Sequence, residues 1–153
     1  MLRVELPAKL SREIRQKAKA AFPREEYCIL LGTRESDELW VVEALYWPED
    51  RADYATEDTV NVHMDWWLDA KRFAADNCYE ILSDLHSHCY ESDCEPDVGP
   101  SCSDLDYSTW ITLLCDGQPG VMGICMVQKV ADGKMRSKIR FWPIVQKIQT
   151  EIV

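Results

Sequence analysis

The chain contains no apolar run approaching the roughly 20 residues needed to cross a bilayer. Its first residues, MLRVELPAKLSREIRQ, lack the apolar stretch of a secretory signal. Both absences point to a cytoplasmic protein without a membrane partner. Positive charge is also scarce: 17 basic residues stand against 27 acidic ones, a net charge of −10. A field of that sign repels a phosphate backbone, so nucleic acid is excluded as a partner class. No internal repeat, low-complexity tract or linker divides the 153 residues. With 46% hydrophobic residues, they are expected to form a single domain spanning 1–153 around one buried core.

Cysteine is the residue the chain has in excess, at seven. Without a secretory signal these read as reduced thiols rather than disulfides. Cys28, Cys78, Cys115 and Cys125 lie in apolar, strand-like surroundings where a thiol acts as a small hydrophobe. Cys89, Cys94 and Cys102 share one polar loop. A second metal or a redox switch there is the alternative reading, weakened because no C-x-x-C pair exists.

Hydrophobic periodicity orders the elements. Leu2–Leu6 reads as a strand, and Ser11 can cap a helix to about Ala21, with Leu10, Ile14 and Ala18 four apart. Tyr27–Gly32 and Leu39–Trp47 read as neighbouring strands joined by a short polar connection, and Pro48–Asp58 as a loop. Asp65 can cap a second helix to about Asn77, on which Trp66 and Trp67 are not expected both to face inward. His63, just before it, reads as a plain residue at the start of the helix. Cys78–Leu85 reads as a strand ending at His86-Ser87-His88. A loop over Cys89–Ser103, a short helix from Asp104, strands at Trp110–Cys115, Val121–Gln128 and Ser137–Trp142, and a last helical turn after Pro143 complete the expected order. Strands separated by two substantial helices imply an α/β, three-layer sandwich with a mixed sheet and flanking helices.

The chemistry is concentrated in two of the three histidines. Alternation in a strand sends His86 and His88 to one face, where both imidazoles can reach one metal ion. Taken alone, the pair is as readily two polar residues at a strand end. Asp104 opens a helix in Pro100-Ser101-Cys102-Ser103-Asp104-Leu105. It could be only a helix cap, but beside the histidines it offers a third ligand. Two histidines and a carboxylate with an open position are the donor set of catalytic zinc, whereas structural zinc takes four ligands, generally with more sulfur. Asp84 and Asp106 are the rival carboxylates: Asp84 shares the His86 face by alternation, and Asp106 follows Ser103 at the same spacing as Asp104 follows Ser101.

Glu25 with Gly32, then His-Ser-His, then Pro-Ser-x-x-Asp-Leu, resembles the JAMM (JAB/MPN) zinc metalloprotease family, in its compact prokaryotic or viral type. FPREEYCILLG resembles the family's Pro-x-Glu-x-x-Gly-x-x-x-Gly strand start, with Pro23, Glu25 and Gly32 in register. Glu25 is preferred to Glu26 because it lies seven residues before Gly32 and two after Pro23. The resemblance covers roughly Val4 to Trp142. It implies a fold of the cytidine-deaminase-like MPN type. His86, His88 and Asp104 would hold one catalytic Zn2+, Glu25 would be the general base and acid, and Ser101 would steady the oxyanion. The substrate would be a peptide or isopeptide bond at the C-terminus of ubiquitin or a ubiquitin-like protein. Stand-alone relatives process sulfur-carrier-like proteins, release conjugates or cut cell-wall peptides. Relatives that have lost ligands serve as silent scaffold subunits, which is the alternative function here. Zinc-dependent nucleobase deamination is set aside, since neither a His/Cys-x-Glu nor a Pro-Cys-x-x-Cys block is present.

Three departures stand out. Cys28 occupies a usual glycine position, and Cys89 follows His88 where proline is usual. The twelve residues Cys89 to Pro100 replace a gap of about seven, an extension that costs little loop-closure entropy. Loop 89–103 therefore borders the site and is the candidate contact surface for a protein partner.

Overall fold

The computed structural model describes residues 1–56, 60, 62–94, 115, 121–143 and 148–153. Ten named elements follow in order: β1 (Leu2–Leu6), α1 (Ala8–Ala21), β2 (Tyr27–Ser36), β3 (Leu39–Tyr46), a 3-10 turn (Arg51–Tyr54), α2 (Met64–Asp76), β4 (Glu80–Glu91), β5 (Val121–Lys129), β6 (Met135–Pro143) and β7 (Ile148–Ile152). The strands make one sheet in the order β6-β5-β4-β2-β3-β1-β7. It is mixed: β1 runs parallel to β3 and β7, and β4 parallel to β5, while the remaining pairs are antiparallel.

Alternation along the strands divides the core into two layers. Cys28, Leu30, Leu85, Cys125 and Phe141 face α1, where Ile14 and Ala18 are buried against them. Tyr27, Ile29, Met122, Ile124 and Met126 face α2, where Trp66, Trp67, Ala70 and Ala74 are buried. Helix, sheet, helix is the three-layer α/β sandwich expected from the sequence. The two outer strands also approach each other, because the Phe141 N–H of β6 donates to Thr150 Oγ1 of β7 at 3.2 Å. The sheet is thus curled around α1.

Several local expectations are corrected. Ser11 is not a cap: α1 begins at Ala8 after Pro7, and Ser11 is buried inside the helix with its N–H on the Pro7 carbonyl at 2.9 Å. Asp65 lies in the first turn of α2, and His63 holds the cap position. Trp66 and Trp67 are both buried. The apolar stripe of a helix is wide enough for neighbours about 100° apart, and the loop after β3 wraps over one of them, with Trp66 Nε1 donating to Asp50 Oδ1 at 2.5 Å. Cys78 is exposed with φ of 59°, so it sits in a turn rather than in a strand. The tail forms β7, not a helical turn, since β1 offers it a parallel edge from Leu2 to Leu6. The expected short helix at Asp104 and strand over Trp110–Cys115 lie outside the described residues, Cys115 excepted. Among the described residues no helix is long and apolar enough to cross a membrane.

Gly32 has a steric reason. A Cβ there would collide with the Val41 carbonyl oxygen, at the point where the β2–β3 register shifts. Gly32→Ala should therefore cost about 1–3 kcal/mol or more, as overpacking does, read as a lower denaturant midpoint at unchanged m-value. Burial pushes the Cys125 thiol up to about 12 from 9.0, and pushes Cys28 well above its ordinary value. The folded chain keeps these protons where the unfolded chain releases them. That stability should be complete below about pH 9 and be lost as pH rises toward about 12. Cys125→Val should make the alkaline fall in denaturant midpoint shallower.

Candidate metal centre

The His-Ser-His triplet lies inside β4, which runs on to Glu91, rather than at the end of a strand as expected. Pairing with β2 reaches His86, and pairing with β5 carries the extended backbone past His88 to Glu91. The β2–β4 register places Tyr27 opposite His86 and Cys28 opposite Leu85. One rung further, the Ser87 N–H donates to the Glu26 carbonyl at 3.0 Å, and the Glu26 N–H donates to Ser87 Oγ at 2.7 Å. Glu26 therefore faces Ser87, while Glu25 lies before β2 and outside the paired register.

The two faces hold different groups. Residues opposite each other across antiparallel strands share a face, so Tyr27, His86 and His88 belong to the α2 side. Glu26 and Ser87 belong to the α1 side. There the Glu26 carboxylate pairs with Arg51 Nε and accepts the Tyr27 N–H at 3.0 Å. Arg51 also donates to the Pro48 carbonyl at 2.5 Å and lies over the Trp47 ring. Glu25 is itself buried, and its N–H is held by the Thr56 carbonyl at 2.8 Å.

On the α2 side the two imidazoles converge, with Nε2 of His86 2.9 Å from Nε2 of His88. An N–H···N hydrogen bond fits that separation when one ring is the donor, and so does a shared cation. Two nitrogens at the usual zinc distance of about 2.0–2.1 Å in tetrahedral geometry lie about 3.3 Å apart, close to what is found. Behind His88, Nδ1 is 3.4 Å from Tyr90 Oη, donor and acceptor roles depending on the tautomer. A partner at Nδ1 is what orients a histidine that offers Nε2 to a metal.

Asp104, Ser101, the rival Asp106 and Cys102 lie outside the described residues. Among the described residues no group of three His, Cys, Asp or Glu side chains is assembled to hold a metal ion. Asp84 does lie on the His86 side by alternation, but it is buried, and its Oδ2 accepts from Tyr27 Oη at 3.0 Å. Cys89 points to the other face of β4, with Sγ 3.5 Å from the Arg24 carbonyl. Cys94 is exposed, and its N–H donates to Ser92 Oγ at 3.1 Å. His63 stacks on Tyr54, with ring centroids 3.8 Å apart, and takes no part in the centre. Beside Glu25 a cleft of about 310 Å³ opens between the end of α1 and the 3-10 turn, lined by Phe22, Pro23, Arg24, Arg51 and Ala55 among others.

The family model describing prokaryotic homologs of the JAB domain matches residues 7–143. The chain belongs to this family. The JAB domain is also similar to the solution structure of protein DSY2949 from Desulfitobacterium hafniense. The TM-score is 0.60 at 19% identity, covering 98% of this chain and 94% of that one. A likeness at that identity carries the fold alone. No curated protein matches the chain.

Two contributions were not legible in the sequence. Ser87, between the ligand candidates, is fully buried and accepts the Glu26 N–H, so the triplet's middle residue joins β4 to β2. Arg51, at the start of the 3-10 turn, neutralises Glu26, and nothing in its local sequence marks it. Removing one partner of a largely buried ion pair leaves the other uncompensated. Arg51→Met should lower stability by about 3 kcal/mol, seen as a fall in thermal midpoint of roughly 6–12 °C.

Proposed function

We propose that this JAB domain is a zinc-dependent peptidase or isopeptidase, cutting an amide bond at the C-terminus of ubiquitin or a ubiquitin-like protein. The supporting observation is the pair of Nε2 atoms 2.9 Å apart on the α2 face of β4. Two imidazoles and a carboxylate suit zinc, and His86, His88 and Asp104 would hold it. A zinc ion held there supplies Lewis acidity and draws the pKa of its water toward neutrality.

The remaining roles belong to the chain. Glu25 accepts the proton of the attacking water and then delivers it to the departing amine. Glu26 is not free for that task, because Arg51 and the Tyr27 N–H engage it. The Ser101 hydroxyl donates to the oxyanion that forms at the scissile carbonyl. The ubiquitin-like character of the substrate rests on the family resemblance, and the reaction takes place in the cytoplasm.

Purified protein should contain zinc, one ion per chain, and cleave C-terminally extended ubiquitin-like proteins until a chelator is added. Glu25→Gln should keep the zinc and lose about 10²–10⁴ in rate, whereas His86→Ala should lose the metal. A metal-free protein whose cleavage survives Glu25→Gln would refute the reading. A stable complex with a partner and no turnover would instead support the silent scaffold.

A further inference from the structure

Beneath the histidines lies a polar chain that the reaction does not require. Asp84 precedes His86 by two residues in β4 and is only 2% exposed. Its neighbours across the sheet are Ile29 on β2 and Met122 on β5, both buried. Such surroundings are costly for a carboxylate unless hydrogen bonds compensate it. Tyr27 Oη donates to Asp84 Oδ2 at 3.0 Å and accepts from Trp67 Nε1 of α2 at 3.2 Å. The Tyr27 ring packs against Trp66, with centroids 5.5 Å apart. Tyr27 is also the residue directly opposite His86. Side chains facing each other across an antiparallel pair have Cβ atoms about 4.5–5.5 Å apart, so the tyrosine forms one wall of the His86 ring.

The geometry points to Tyr27 and Asp84 as positioning residues for His86. Asp84 and Trp67 fix the tyrosine hydroxyl from the sheet and from α2. The ring so fixed holds the imidazole with Nε2 toward His88. A purely apolar filling of the same space would stabilise the fold as well or better, because buried ionic groups rarely repay their desolvation. The polar chain makes sense if it sets a geometry. This inference rests on the zinc reading of the two histidines.

The test uses the full chain loaded with zinc, and with cobalt(II) as a spectroscopic probe. The paired substitution Tyr27→Phe/Asp84→Leu replaces the polar chain with apolar volume and so should keep the fold. It should retain the wild-type thermal midpoint or exceed it, bind zinc about 10–100-fold more weakly, and change the cobalt absorption bands. Asp84→Asn keeps an acceptor for the tyrosine hydroxyl and should bind zinc as the wild type does. A folded double variant with wild-type zinc affinity and an unchanged cobalt spectrum would overturn the proposal while leaving the zinc reading intact. So would an Asp84→Asn chain that binds zinc as weakly as the double variant. A wild-type chain that binds neither metal would overturn both readings.

Discussion

The register between β2 and β4 governs the rest of the molecule. A one-residue slip would exchange the faces of every side chain on β4, turning His86 and His88 toward α1 and Ser87 toward α2. What holds the register is a set of mutually dependent contacts. The Ser87 N–H and Oγ clasp the Glu26 backbone, and the Arg51 guanidinium neutralises the Glu26 side chain on the α1 face. Glycine at position 32 lets β3 close against β2 on its other side. These contacts join segments distant in the chain, and together they set the face that His86 and His88 take.

Two adjacent and chemically equal glutamates have different surroundings. Glu26 is paired with the Arg51 guanidinium, which lies over the Trp47 ring. Glu25 is buried just before β2, with its N–H on the Thr56 carbonyl. Asp84 shares the histidine face but lies deeper, where it accepts from Tyr27 Oη, which in turn accepts from Trp67 Nε1. Position along a strand sets depth, and parity sets the face.

Membership of the prokaryotic JAB family accounts for the matched motifs, and the departures from the family pattern now have differing consequences. Cys28 is buried in the α1 layer, where burial, Glu26 and Asp84 raise its thiol well above the ordinary value and make it a protonated core residue. Cys89 turns away from the histidines toward the Arg24 carbonyl. Neither thiol is aimed at the histidine pair.

Much of the fold was legible because its signals are short-range. Val121–Gln128 and Ser137–Trp142 match β5 and β6 to within two residues, and Leu10, Ile14 and Ala18 marked the buried stripe of α1. Three of the misreadings share one cause. Two tryptophans unable to face inward together, a strand ending at His-Ser-His and a helical tail were each inferred from neighbours in sequence. Each was overridden by a partner distant in sequence: Asp50 over Trp66, β5 beside β4, and β1 beside β7. Ser11 as a cap failed locally, because α1 already begins at Ala8. The sequence alone determined the candidate residues, because histidine, glutamate and glycine at those spacings carry their chemistry with them. Only the tertiary structure decided which face each occupies and which glutamate Arg51 neutralises, because pairing across a sheet is a contact between residues sixty apart in the chain.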